Sequence, residues 1–449
     1  MKSSQFTADR HPFLRKPNRT ILSFSLPILL SLIAEPVTGL VDTAFVAQLG
    51  AVPLAALGVG TSALSSIFWI FGFLATATQT DVAQTAGRGA IEAASKLISL
   101  AFVMGVFISL LLCAILLPGA GLVSSMLGAE GAVLTYATQY IQLRLLGAPA
   151  VIVVVVGFGA LRGAQDMRTP LWIALGINIA NILLDYLFIF GWNFIPALGV
   201  AGAALASSLS HWLGAAWMLW EVQRRLGLSR DINLRDGVKL LCVGRDLVIR
   251  SASLTLFLLY ATRVANQMGA EAGAAHQVIR QVWFFTALFV EAFATTAQSL
   301  VGYFYGSSQL QHVKQVALST MRWSLAAGVV LMLAMLVASP IVSRALVPVD
   351  AALLFNLPWI IASLSQPFNA LAFITDGIHW GTSDYGFLRN TMLLATICGL
   401  LGLQMVATAE ASAFSAVWLV TVGWVCIRAL WGVLRVYPGI GNSPFSAIE

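Results

Sequence analysis

From Ile21 to Leu434 the chain runs through successive stretches of mostly apolar residues separated by short polar breaks. Many of these stretches reach the roughly 20 residues that a helix needs to cross a bilayer. The breaks fall around Gly50, Gly87, Gly119–Glu130, Gln165–Thr169, Gly191–Pro196, Arg224–Lys239, Gly269, Gly306–Gln311, Pro340–Asp350, Gly381–Asp384 and Ala407–Glu410. These eleven breaks divide the chain into about twelve spans. In hydrocarbon every backbone polar group needs an internal partner, so only helices and closed barrels can span. Barrel strands alternate apolar and polar residues over about 10 positions. Runs such as Val151–Val156 are continuously apolar instead. The pattern predicts an all-α polytopic membrane protein.

Composition narrows the function. Only 10% of the 449 residues are charged and 59% are hydrophobic, whereas globular chains carry about 25% charged residues. The most polar stretch, Glu221 to Asp246, is far below the ~50 residues of a small domain. No appended catalytic or nucleic-acid-binding domain is expected. The net charge of +6 is read as Lys and Arg retained in cytoplasmic loops, not as a nucleic-acid partner. Cys113, Cys242, Cys398 and Cys426 are scattered singly, without metal-ligand or disulfide spacing. Residues 1–19 are polar and basic with no small-residue cleavage site after the next apolar run, which reads as a cytoplasmic tail.

Basic residues set the expected orientation. Arg10, Arg15, Lys16 and Arg19 precede the first span, Arg88 and Lys96 follow the second, and Arg162 and Arg168 follow the fourth. Arg224 through Arg245 follow the sixth, Lys314 and Arg322 the eighth, Arg389 the tenth, and Arg435 lies at the end. Gln48–Pro53, Gly119–Glu130 and Gly191–Pro196 contain neither Lys nor Arg. Both termini are therefore expected in the cytoplasm, and the membrane is read as the plasma (inner) membrane.

An internal repeat accompanies this alternation. Gly50-Ala51, Ala55-Ala56 and Val59 recur 219 residues later as Gly269-Ala270, Ala274-Ala275 and Val278, and Gln79, Val82 and Gly87 as Gln298, Val301 and Gly306. Six spans per period insert in the same direction, which predicts two six-helix lobes related by a pseudo-two-fold axis along the membrane normal. The expected divisions are an N-terminal tail (1–19), an N-lobe (20–224), a linker (225–244), a C-lobe (245–437) and a C-terminal tail (438–449).

Enzyme motifs are missing. There is no HExxH, GxSxG, Walker A or aspartate-rich isoprenoid motif, and His11, His211, His276, His312 and His379 have no ligand-like spacing. No catalytic residue and no metal site is expected. The informative residues are acids within apolar helices, each costing about 2.5–3.5 kcal/mol at mid-membrane unless neutralised. In the first span Glu35 and Asp42 lie seven residues apart, nearly on one helix face. Pro27 and Pro36 each remove a helix hydrogen bond there, making them hinge candidates. In the fifth span Asn178, Asn181 and Asp185 form one polar stripe, able to share a proton or ligate a hard cation. Interhelical hydrogen bonding is the competing reading for all of these. Ser207 follows the small-residue run Gly202-Ala-Ala-Leu-Ala, and Glu291 and Asp376 are secondary acids in the eighth and tenth spans. Asp376 falls near enough to a span end to be a solvated position, and Arg144 and Arg280 can either snorkel or serve as counter-ions. Most Trp, among them Trp172, Trp192, Trp359 and Trp380, fall near span ends, as in interfacial belts.

These residues resemble the multidrug and toxic compound extrusion (MATE) transporters, DinF-type subfamily, over essentially the whole chain. The resemblance is carried by Pro36-Val-Thr-Gly-Leu-Val-Asp42-Thr and Asn178-Ile-Ala-Asn181-Ile-Leu-Leu-Asp185. Gly202-Ala-Ala-Leu-Ala-Ser207, Gly244-Arg-Asp246 with Arg250-Ser251, and Asp376-Gly377 add to it. It implies export of organic compounds by rocking of two lobes, driven by inward protons or sodium, with no cofactor. The coupling network it implies is Asp42, Asn178, Asp185 and a hydroxyl, here Ser207 where Thr is more usual. Glu35-Pro36 resembles the plant and cyanobacterial branch, whose cargoes include organic anions. The seventh span lacks the mid-membrane acid of the sodium-driven branch, which favours protons. The expected partners are a small organic substrate and membrane lipids, with a functional monomer and no nucleic acid. The rival readings are a lipid or lipid-linked-saccharide flippase of the same superfamily and a membrane enzyme.

Overall fold

The computed structural model describes residues 11–406, 410 and 412–446. Arg10 and residues 407–409 of the last expected break lie outside them. A short helix, α1 (Pro12–Arg15), leads into α2 (Pro17–Ala47), and the chain continues as α3 (Ala51–Ile70), α4 (Gly72–Gly87) and α5 (Ile91–Met126). Next come α6 (Gly131–Leu145), α7 (Ala148–Gly163), α8 (Arg168–Phe190) and α9 (Val200–Arg225). The remainder is α10 (Leu234–Gln267), α11 (Ala270–Gly306), α12 (Leu310–Leu346), α13 (Ala352–Leu364), α14 (Gln366–Gly381), α15 (Tyr385–Gln404) and α16 (Ala413–Val436).

Eight of these helices are each long and apolar enough to cross a membrane: α2, α5, α8, α10, α11, α12, α15 and α16. Two bent pairs bring the number to ten, residues 131–163 with a 51° bend and 349–381 with a 43° bend. The α3–α4 pair, interrupted at Phe71, and α9 occupy the two places left in the expected order of twelve. Ser207, Ser208, Ser210 and His211 lower the apolar character of α9. The chain is an all-α polytopic membrane protein. Its outer surface agrees: Phe107, Ile115, Val337 and Ile341 are all more than 60% exposed, which suits contact with lipid. The interior holds Asp185, Gln298, Gln366 and Asn369.

The ends of several helices differ from expectation. Pro118 and Pro340 lie inside α5 and α12, which continue to Met126 and Leu346. Proline removes one ladder hydrogen bond, and ending a helix in lipid would strand several backbone groups. Among the Trp residues, Trp172 and Trp192 are exposed as an interfacial belt requires, but Trp359 and Trp380 are buried. Trp359 donates its Nε1–H to the Met335 carbonyl at 3.0 Å, and Trp380 lies under the Arg250 guanidinium. Trp359 satisfies its polar edge on a carbonyl and Trp380 offers its ring face to a guanidinium, so both are placed by protein contacts instead of the interface.

The chain groups into two compact units. One comprises Leu30–Gly244, and the other the described residues up to Leu29 together with Arg245 onward. The first unit is built on the packing of α4 with α7, α8 with α9 and α3 with α6. The second is built on α11 with α14, α12 with α14 and α15 with α16. The repeat is visible inside each unit. A side chain at Gly163 would run into Gln79 and Val82, and one at Gly381 would run into Gln298 and Val301, so the same glycine permits the same close helix crossing twice. Gly50 and Gly269 likewise turn the chain with φ of +111° and +113°. Between α9 and α10 only residues 226–233 are non-helical.

Candidate functional site

The first unit gathers its polar side chains where α2, α6, α8 and α9 meet. Asp185 on α8 is completely buried, and neither carboxylate oxygen has a hydrogen-bond donor. Asp42 on α2 is half-buried, and its Oδ1 is also without a donor. The two carboxylates lie within hydrogen-bond reach of each other. Two bare carboxylates in that position repel, and a shared proton turns the repulsion into a hydrogen bond. Arg144 on α6 supplies the nearby positive charge, acting on both acids and on His211. The Tyr140 hydroxyl lies beside the same guanidinium. Two carboxylates and one guanidinium leave one negative charge over, which one proton cancels.

The carboxamide stripe divides. Asn181 donates from Nδ2 to Ser207 Oγ at 3.2 Å, fastening α8 to α9. The Ser207 carbonyl accepts from His211 Nδ1 at 2.7 Å, so that nitrogen carries the proton. Asn178 is half-buried and takes no part in the contact between the carboxylates, which is direct. Glu35 is exposed, two turns from Asp42. Helix α2 is continuous through Pro27 and Pro36. Arg144 acts on both acids by its charge, without a direct ion pair to either, whereas Arg280 bonds Gln277 at 2.8 Å and covers Phe284. Sequence reasoning did not single out Tyr140 or His211. The usable signals were Tyr140 four residues before Arg144, and His211 four after Ser207.

The acids of the second unit are placed differently. Asp376 is buried, not solvated, and is held by two guanidinium groups, Arg250 and Arg428, the latter at 2.9 Å. Arg428 also lies over the Trp424 ring, and Glu291, half-buried, adds a further negative charge near it. Asp376 therefore has no charge left uncompensated. Among the described residues no group of three or more His, Cys, Asp and Glu is placed to hold a metal ion.

The protein is thus an all-α polytopic membrane protein of two helical units, the first holding a carboxylate pair with one negative charge left over. The MatE family profile matches residues 27–187 and 247–409, so the chain belongs to the MATE family of transporters. It is 29% identical over 439 residues to Protein DETOXIFICATION 44, chloroplastic, of Arabidopsis thaliana, covering 95% of this chain and 83% of that one. It is 26% identical over 448 residues to DNA damage-inducible protein F of Escherichia coli, covering 97% and 93%. A multidrug resistance MATE family transporter solved in an outward-facing conformation shares the fold, with a TM-score of 0.85 at 20% identity over 96% of this chain and 99% of that one.

Proposed function

We propose that this chain is a secondary antiporter that exports organic compounds in exchange for inward protons, by alternating access of its two lobes. The observation that carries the reading is the Asp42–Asp185 contact beside Arg144, one proton short of neutrality. A site of that charge loads a proton from the acidic side and releases it on the other. The Asn181–Ser207 bond holds α8 against α9 behind the pair, and His211 bonds the Ser207 carbonyl within α9. The second unit supports protons over sodium, because Asp376 is already neutralised by two arginines. The cargo class follows family membership and the multidrug resistance relative. The Lys and Arg distribution favours cytoplasmic termini in a plasma (inner) membrane.

The test is efflux from proteoliposomes with the two ion gradients varied independently. Cargo efflux is expected to follow an inward proton gradient with sodium absent from both sides. Efflux that answers only sodium would overturn the proton assignment, and no efflux of any organic cargo under either gradient would overturn the exporter reading.

Pro36 extends the proposal to motion. It leaves the carbonyl four residues back without its helix hydrogen bond, so α2 bends there at lower cost. Protonating Asp42 removes its repulsion with Asp185 and lets the part of α2 that follows Pro36 repack. Pro36→Ala is expected to spare cargo binding and slow turnover several-fold, measured at equal protein in the membrane. Unchanged turnover would make Pro36 a shape residue only.

A further inference from the structure

The first unit contains a cavity that shares no residue with the Asp42 site. It lies at the end carrying Arg88, Lys96 and the 226–233 stretch and has a volume of about 570 Å³. That is within the range of about 300–1,000 Å³ usual for small-molecule sites. Its apolar lining includes Leu97 and Leu100 from α5 and Leu240 and Val243 from α10, while α4 contributes Thr78 and Asp81.

Most charges at its rim are already paired. Lys96 bonds Asp231 at 2.6 Å and Glu92 at 3.2 Å, and Lys239 bonds Asp236 at 3.5 Å. Arg88 reaches Gln84 at 3.5 Å. Arg88, whose bond is to a neutral amide, has no ion pair, and Asp81 has neither an ion pair nor a bond to its carboxylate. Asp81 is half-buried, and the bond at its position is to its backbone carbonyl, from the Thr85 hydroxyl at 2.7 Å. Arg88 and Lys239 act on its carboxylate through space without bonding it.

Thr78, one turn earlier on the same face of α4, is the second observation. Buried helical threonines normally return their hydroxyl to the carbonyl four residues back. Thr85, Thr38 and Thr320 do so here, at 2.7, 3.0 and 2.8 Å. Thr78 is 3% exposed, yet its Oγ1 has no partner. It lines the cavity beside Asp81. A buried hydroxyl without a partner costs free energy that a ligand group would recover.

We infer that this cavity is a second binding site, which takes a protonated amine carrying an apolar body. The amine N–H groups donate to the Asp81 carboxylate and to Thr78 Oγ1, and the body packs against the leucines and Val243. Residues 231 and 233, from the stretch that joins α9 to α10, form part of the wall, so an occupant bridges α4 and that connection. The inference does not depend on transport.

The test is a fluorescence titration of the purified full chain in detergent with dansylcadaverine, a primary amine on an apolar fluorophore. Saturable binding is expected, at least tenfold weaker in Asp81→Asn, about threefold weaker in Thr78→Val and retained in Asp42→Asn. Dansyl amide, which lacks the amine, is expected not to compete. Wild-type affinity in Asp81→Asn, equal binding of dansyl amide, or loss of the signal in Asp42→Asn alone would each overturn the site. Should Asp81→Asn not fold, Thr78→Val decides: unchanged affinity overturns the inference and weakened affinity upholds it. No gradient is applied, so this outcome is independent of whether the chain exports anything.

Discussion

Asp42→Asn is expected to reduce proton-driven efflux in proteoliposomes to the level of empty liposomes. The side chain keeps its size and can donate a hydrogen bond to Asp185, as a protonated Asp42 would. What it loses is the ability to exist in two charge states. With Asn at 42, Asp185 and Arg144 form a balanced pair at every pH, and no step of the cycle can take up or release a proton there. The protein should insert and fold normally, because the substitution removes a carboxylate repulsion and leaves no new buried charge. Cargo binding should persist while its response to the imposed pH gradient disappears. Wild-type efflux from Asp42→Asn, at equal protein in the membrane, would remove Asp42 from the coupling role.

Asp376→Asn is expected to act on stability. The carboxylate lies between Arg250 and Arg428, which are only 8% and 4% exposed. Removing one member of a buried ionic group leaves its partners charged and unpaired, at a cost of about 3–5 kcal/mol. Here two guanidinium groups are left facing each other, and each Nε already lacks a partner. The expected result is a large drop in the thermal midpoint in detergent and a reduced yield of monodisperse protein. A thermal midpoint equal to that of the wild type would show that the cluster does not support the second unit. The two substitutions therefore separate by readout: Asp42→Asn removes coupling from a folded protein, and Asp376→Asn removes folded protein.

Much of the architecture was readable in the chain itself. Apolar runs in lipid must become helices because the backbone has no water to bond, so the spans from Ile21 to Leu434 could be laid out from sequence. Glu35, Asp42, Asn178, Asn181 and Asp185 stood out because polar groups are costly there. The 219-residue offset of Gln79 and Val82 from Gln298 and Val301 reappears as one helix crossing built twice, at Gly163 and Gly381.

Only the tertiary structure decided which of these residues meet. A helix apolar on nearly all sides carries little record of which face turns toward which neighbour. Periodicity could not bring Asp42 directly against Asp185, nor leave Asn178 and Glu35 outside that contact. Arg144 and Asp376 were ambiguous for the same reason. A charge in an apolar helix must be neutralised, but its partners come from helices far away in sequence: α2 and α8 for Arg144, α10 and α16 for Asp376. The burial of Trp359, the passage of α5 and α12 through Pro118 and Pro340, and the bends between α6 and α7 and between α13 and α14 were likewise settled by packing. In each case the local residues permit more than one outcome, and the free-energy difference comes from contacts that exist only after the helices have assembled.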